Sequence, residues 1–287
     1  MGLPVLKTKP YTPSEDDPLA INADLVVDWL VRFLKDEVIR RRGIDRAVLA
    51  LSGGVDSAVV AYLCARAFGP KNVHVFRMPY KISSKESIEH ADLVVNDLGI
   101  NARTIEITGM VDGYIGAHEE EISPSRLGNV CARCRMIVLF DQSAKLHCLP
   151  IGTGNKSERL FGYYTWHADD SPPINPLGDL FKTQVWAIAR VLGVPNEIVE
   201  KPASADLIKG QTDEKDFGIT YAVADKILHF MTQGYSKQKL ISMGFPAADV
   251  ELVWKRVDGT HWKRRLPTVA MLSSTAIGEY YLRPVDF

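Results

Sequence analysis

Apolar and polar positions along this 287-residue chain fall into blocks that read as short buried strands joined by amphipathic helices. Residues 1–20 carry Pro4, Pro10, Pro13 and Pro18 and few buriable side chains, so an extended N-terminal arm is expected. Asn22 suits the cap of a helix whose apolar stripe is Leu25, Val26, Trp29, Leu30, Phe33, Leu34 and Val38, ending at Gly43. The continuous apolar run Ala47–Leu51 reads as a buried parallel strand over 46–51, although periodicity alone leaves a buried helix open. Val59, Val60, Leu63 and Cys64 then recur at helical spacing in a helix over 56–68, which Gly69-Pro70 stops. Val73–Met78 is the second expected strand, ended by Pro79. Ser83 or Ser84 caps a helix running to Asp97, and Ala102–Ile107 is the third strand.

A helix is expected over Val130–Gln142. Leu149–Thr153 reads as a fourth strand, weakened by Pro150, which lacks an N–H for a central ladder. It enters a small polar turn, Gly152-Thr153-Gly154-Asn155, with Glu158 one turn into the next helix. A long loop over 160–180 precedes helices over 181–192 and 194–200. Residues 202–217, polar and Gly-containing, read as a candidate flexible lid, and the last third is helical up to 260–265. The alternation predicts an α/β class: a doubly wound parallel sheet with helices on both faces, one domain over 21–287 with a helical C-terminal part. Ligands of such sheets sit at the carboxyl ends of the strands.

Composition adds exclusions. Apolar residues make up 46% and charged residues 24%, ordinary globular values. A formal net charge of −1 gives no support for a nucleic-acid surface. No run approaches the ~18 apolar residues of a spanning helix, so no membrane partner is expected. Met1–Leu19 has no apolar signal core, so a cytoplasmic location is expected. Cys64, Cys131, Cys134 and Cys148 are then expected as reduced thiols. Cys131-Ala132-Arg133-Cys134 lacks the second ligand pair that zinc needs and lies within an expected helix, so it reads as two helical thiols.

The candidate chemistry lies between the first strand and its helix, in Ser52-Gly53-Gly54-Val55-Asp56-Ser57. A strand-to-helix turn aims free N–H groups and the helix dipole at an anion. Glycines allow close backbone approach, and Ser52 and Ser57 add hydroxyl donors. No lysine follows the glycines, and neither the common phosphate loop nor the dinucleotide fingerprint is present. Asp56 stands there instead. A carboxylate beside a phosphate calls for a bridging hard cation, for which Mg²⁺ is the usual choice.

The string resembles the S-G-G-x-D-S pyrophosphate loop of the N-type ATP pyrophosphatases, whose adenine-nucleotide α-hydrolase-like fold and cleavage of ATP between the α- and β-phosphates are thereby implied. Further segments, in order, are similar to the NAD synthetases. They are Gly128-Asn129-Val130-Cys131-Ala132-Arg133-Cys134-Arg135-Met136, Gly152-Thr153 with Glu158, Asn175-Pro176-Leu177 with Phe181-Lys182-Thr183-Gln184, Pro202-Ala203-Ser204-Ala205-Asp206-Leu207, and Lys263-Arg264. This resemblance implies amidation of deamido-NAD by ammonia through an acyl-adenylate, with release of AMP and pyrophosphate. It implies ATP contacts from Ala50, Leu51, Ser52, Gly53, Gly54, Val55, Asp56, Ser57, Arg77, Thr153, Lys182 and Ser204. Asp56 and Glu158 would hold Mg²⁺. Asp56, Asp169 and Lys182 would be catalytic, with Asp169 taking the proton from ammonium. Asn129, Arg133, Trp166, Trp262 and Lys263 would meet deamido-NAD, and the chain would form a homodimer.

Three departures fall in the substrate half. Where these synthetases have K-Y-G-D-G-x-x-D, this chain reads Trp166-His167-Ala168-Asp169-Asp170-Ser171-Pro172-Pro173. The lysine and final aspartate are thus Trp166 and Pro173, and Trp262 replaces the histidine before Lys263. Trp166 can instead stack on a base or ring. No amidase-sized segment fits before Ala47, so free ammonia is the expected nitrogen donor, unless a separate subunit supplies it. The alternatives are a ligase adenylating a different carboxylate and a non-catalytic nucleotide-binding protein.

Overall fold

The computed structural model describes residues 17–119, 121–204, 212–265 and 268–273. Most of the expected arm and the middle of the expected lid, with Ala205, Asp206 and Leu207, lie outside the described residues. Helix α1 (Ala23–Leu34) starts at Asn22, whose side chain accepts the Leu25 N–H at 3.1 Å. It runs on as a π-helical segment, Lys35–Arg40. Then come β1 (Ala47–Ala50), α2 (Val55–Phe68), β2 (Val73–Arg77), α3 (Lys85–Leu98) and β3 (Asn101–Thr104). These are followed by α4 (Thr108–His118), α5 (Pro124–Leu146), β4 (Leu149–Pro150), α6 (Lys156–Phe161), α7 (Lys182–Leu192) and α8 (Asn196–Val199). Helices α9 (Asp213–Phe217), α10 (Tyr221–Thr232), α11 (Lys237–Ser242) and α12 (Ala247–Gly259) follow, and 3₁₀ turns lie at Pro70–Asn72 and His261–Arg264. None of the helices among the described residues is long and apolar enough to cross a membrane.

The four strands are parallel in the order β3-β2-β1-β4. Alternation along β1 sends Ala47, Leu49 and Leu51 into a core shared with α1, α2, α3 and α7, and Val48 into a second core with α4 and α5. Helices therefore cover both faces, as the sequence pattern requires. A third cluster, built on Phe161, Phe181, Phe217, Tyr221, Leu228 and Val253, joins the C-terminal helices to α6 and α7. Leu19, at the end of the expected arm, is buried in that cluster, and its carbonyl accepts from Gln184 Nε2 at 3.1 Å.

Pro150 sits in β4 without a lost bond to β1. Leu149 and Ile151 donate to Arg46 and Val48 at 2.9 Å each, so the missing proline N–H falls on the other side of the strand. The third strand is shorter than expected because its apolar residues Ile105 and Ile107 lie past the strand end, where Ile107 enters the core. Helix α5 runs well beyond 130–142, and α4 has no counterpart in the sequence reading.

Chain direction reverses at the centre of the sheet. From β1 the chain moves outward through β2 and β3, and β4 then lies on the opposite side of β1. The loops after β1 and β4 diverge there and leave a crevice. Gly162 fixes the exit from that second loop. It closes α6 at φ +63°, a Cβ there would overlap the Thr260 side chain, and its carbonyl accepts from Lys263 Nζ at 2.6 Å. Gly162→Ala is expected to lower unfolding free energy by more than the ~1–2 kcal/mol of a left-handed backbone alone, because the overlap adds to it. Urea denaturation of the two proteins checks this, and an unchanged midpoint would contradict the packing described.

Candidate active site

The loop after β1 enters α2 at Gly54, leaving the first-turn N–H groups of α2 at the crevice. Its two serines brace each other. Ser52 Oγ lies 3.0 Å from Ser57 Oγ, Gly54 N–H donates to Ser52 Oγ at 3.2 Å, and Ser57 Oγ donates to the Gly54 carbonyl at 3.0 Å. Gly53 has φ +80°, and a Cβ on it would overlap the carbonyl of Ser87 in the first turn of α3. Glycine is thus required by the fit of α3 against the loop as well as by any ligand.

Three charges from distant segments meet beside this loop. Lys182, the first residue of α7, has its side chain 3% exposed, and its ammonium donates to Asp56 Oδ2 from 126 residues away. Glu158 Oε1 lies 3.8 Å from the same ammonium. Burial works against the charge on Lys182, but Asp56 and Glu158 outweigh it and hold the amine protonated beyond the ordinary lysine range. Burial, with Asp56 adding repulsion, pushes the Glu158 carboxyl up to about 8. The other Asp56 oxygen accepts from Asn155 Nδ2 at 2.9 Å. Asn155 also caps α6, in a box where Glu158 N–H donates to Asn155 Oδ1 at 2.9 Å and Asn155 N–H to Glu158 Oε2 at 3.2 Å.

Asp225 of α10 sets the relative position of α6 and α7. Its fully buried carboxylate accepts from Ser157 Oγ at 2.5 Å and from both the N–H and Oγ1 of Thr183 at 2.9 Å. Ser157 Oγ in turn accepts the Lys182 N–H at 2.9 Å. Asp213 lies near the same charges. Its Oδ2 accepts from Tyr221 OH at 3.0 Å, while its buried Oδ1 has no partner among the described residues. Asn155, Asp213, Tyr221 and Asp225 were not found from sequence. Only the Asn155-x-x-Glu158 capping box carried a readable signal.

Thr153, Glu158 and Asp169 line one open cleft with Gly154, Arg159, Tyr164, Asp170 and Asn175. Asp169 is at its mouth, where Oδ1 accepts the Thr165 N–H at 2.8 Å. The surrounding protein desolvates the carboxyl and pushes it up to about 6, although its outer surface meets solvent. Arg77, at the end of β2, pairs with Asp92, and its buried Nε has no partner among the described residues. Ser204 is exposed, one residue past Ala203, whose carbonyl accepts the Asp213 N–H at 2.9 Å.

The expected substrate contacts are spent on the loop that carries Asp169. Thr165 Oγ1 donates to Asn129 Oδ1 at 2.9 Å, and Arg133 donates to the Trp166 carbonyl at 3.2 Å. Lys263 donates to the carbonyls of Gly162 and Tyr164, and Tyr164 OH donates to the Lys263 carbonyl at 2.7 Å. Trp166 and Trp262 meet edge to face, with centroids 5.1 Å apart. Cys131 and Cys134 are buried free thiols pushed up by burial, which fits the reading of helical thiols.

Among the described residues no group of three or more His, Cys, Asp or Glu side chains could hold a metal. The donor set is instead the carboxylate pair Asp56 and Glu158 beside a phosphate-type loop. That pair suits a hard cation taking one or two carboxylates together with phosphate oxygens.

Comparison with known proteins agrees with this geometry. The family model described as NAD synthase matches residues 26–267. An NH(3)-dependent NAD(+) synthetase of Fusobacterium nucleatum is 44% identical over 255 residues, 88% of this chain and 98% of that protein. Two solved structures superpose well. The NMN synthetase of Francisella tularensis has a TM-score of 0.77 at 28% identity, covering 87% of this chain and 99% of that one. The NH3-dependent NAD synthetase of Campylobacter jejuni, in complex with nitrate, has a TM-score of 0.74 at 30% identity, covering 88% and 100%.

The buried ammonium generates a stability prediction. Lys182→Met leaves Asp56 and Glu158 without their counter-charge and is expected to cost about 3–5 kcal/mol in denaturant unfolding without nucleotide or metal. Glu158, already pushed up to about 8, takes up a proton once the ammonium is gone, so Asp56→Asn is the second change that removes the stranded charge and should recover part of the loss. A Lys182→Met, Asp56→Asn double variant no more stable than Lys182→Met would contradict the electrostatic account.

Proposed function

Because the chain belongs to the NAD synthase family, we propose that it amidates deamido-NAD with ammonia at the expense of ATP, forming NAD, AMP and pyrophosphate. The observation that carries this reading is the convergence of Asp56, Glu158 and Lys182 beside the Ser52–Ser57 loop, where β1 and β4 diverge. The first step is in-line attack of the nicotinate carboxylate on the α-phosphorus. The loop N–H groups and the start of α2 hold the departing pyrophosphate. Thr153, Arg77 and Ser204 add donors around the nucleotide. Lys182 supplies a fixed positive charge that needs no reorganisation as charge develops. Mg²⁺, held by Asp56 and Glu158, would offset the phosphate charge.

In the second step ammonia displaces AMP. Ammonium has no lone pair, so Asp169 accepts its proton, its oxygen held in place by the Thr165 N–H. Asn129, Arg133 and Lys263 fix the loop that carries Asp169, while Trp166 and Trp262 offer aromatic surface to the acceptor. We further infer a cytoplasmic homodimer. The exposed apolar side chains Met110 and Tyr114 on α4 and Ile137 and Phe140 on α5 support the dimer, and four free buried thiols suit a reducing compartment.

The test incubates the protein with ATP, Mg²⁺, ammonium chloride and deamido-NAD and measures AMP, pyrophosphate and NAD. Nicotinate mononucleotide is the competing acceptor, since the fold is also that of an NMN synthetase. Turnover of the mononucleotide alone would reassign the substrate, and ATP binding without AMP would leave only a nucleotide-binding protein. Glutamine without ammonia should not support turnover.

Asp169→Asn separates the half-reactions. Asparagine suits a turn equally well, so a purely structural Asp169 predicts little change. As a general base it predicts a pyrophosphate burst with amidation slowed about 10²–10⁴-fold. In the wild type amidation should weaken as pH falls through about 6, where Asp169 takes up a proton and can no longer accept one. Equal slowing of both products in a single-turnover assay would move Asp169 to substrate positioning.

A further inference from the structure

Lys201 lies just outside every motif of the sequence and has no part in the reaction as described so far. It follows α8, and its ammonium reaches across to the first turn of α3, 3.3 Å from both Ser87 Oγ and Glu86 Oε2. Ser87 is also the residue whose backbone carbonyl occupies the space beside Gly53. The ammonium is thus held one residue away from the glycine turn of the phosphate loop.

That loop is short of positive charge. Its sequence has no lysine after the glycines, and it adds the negative Asp56. Of the cations around it, Lys182 is committed to Asp56, whose side chain is 16% exposed, and Arg77 to Asp92, 47% exposed. Lys201 is paired with Glu86, which is 60% exposed. A pair with so exposed a partner is worth little, so this ammonium is the one most easily drawn to a stronger anion. A lysine ammonium is a mobile point charge on a flexible stem, suited to following a phosphate as it leaves. The start of α3, with Ser84 as its cap residue, faces the same region and favours negative charge.

We propose that Lys201 binds the β- and γ-phosphates of ATP and the pyrophosphate they become, supplying from a distant segment the cation that this loop lacks. The inference rests on the adenylation reading above and deepens it by naming what holds the leaving group.

The test uses inorganic pyrophosphate with Mg²⁺ as the probe, without ATP or acceptor, and follows binding by thermal shift and calorimetry. A lost charge-assisted hydrogen bond should weaken pyrophosphate binding by about tenfold or more in Lys201→Met. Lys201→Arg should stay near wild type, and Glu86→Gln should bind equally well or tighter. In turnover, Lys201→Met should raise the KM for ATP and relieve product inhibition by pyrophosphate, leaving the KM for ammonia unchanged. The ligand-free melting temperature, compared across the variants, separates loss of a contact from loss of fold. Wild-type affinity for pyrophosphate in a folded Lys201→Met protein would overturn the proposal while leaving the adenylation reading intact. A wild-type protein that neither binds pyrophosphate nor releases AMP would remove both.

Discussion

One ammonium holds the site together. Lys182 Nζ is nearly sealed from solvent, and such a charge persists inside a protein only when it is paired. Its partners come from α2 and α6, while Lys182 itself starts α7, so a single electrostatic requirement fixes three helices that pack on different parts of the sheet. The requirement is mutual. Without the lysine, Asp56 and Glu158 repel each other, and Glu158, already pushed up to about 8, would carry a still heavier penalty for its charge. The arrangement therefore keeps two carboxylates close and ionisable beside a phosphate loop, which neither could manage alone.

The scaffold behind the ammonium is also polar. Asp225 is buried without a cation beside it in hydrogen-bonding contact; it is satisfied by Ser157 and Thr183 instead, and burial raises its carboxyl against those bonds. Because it accepts from the first turn of α7 and from α6, it sets where Lys182 and Glu158 begin. The loop bearing Asp169 is fixed in the same manner, by Asn129 and Arg133 from α5 on one side and Lys263 on the other. Side chains that resemblance alone assigns to the substrate thus have a prior job: Arg133 and Lys263 hold backbone carbonyls of the loop, and Asn129 holds its Thr165 hydroxyl.

Several of these features were legible in the sequence. Asp56 follows an apolar run and a glycine pair, and Glu158 follows a polar turn, so strand ends and carboxylates could be matched before any contact was known. The Gly53 requirement was read as close approach to an anion, whereas the fold adds the Ser87 carbonyl, a neighbour that no local pattern announces. Helix α4 escaped because Gly109, Gly113 and Gly116 blunt its helical signal, and the tertiary fit of Ile107 and Val111 is what carries it. The third strand was extended too far because Ile105 and Ile107 look like strand residues, yet they lie past the end of the ladder, where Ile107 is buried and Ile105 half-buried against the same core. Asp213 and Asp225 carry no motif at all, since their meaning depends on partners dozens of residues away.

The two tryptophans at the rim follow the same logic. Trp166 and Trp262 each depart from the pattern of the NAD synthetases, at positions far apart in the chain, yet their rings meet edge to face at 5.1 Å. Departures that touch are one change, since either ring alone would lose its partner. An edge-to-face pair offers apolar surface and a quadrupole in place of a lysine or histidine charge. Contact through such a pair depends less on ionic strength than contact through exposed charge, which salt screens over roughly 8–10 Å. In the proposed reaction, Asp56, Glu158 and Lys182 would keep their charges because phosphate chemistry demands them. The side that would meet the acceptor could then exchange charge for aromatic surface, provided Arg133 and Lys263 still hold the loop that carries Asp169.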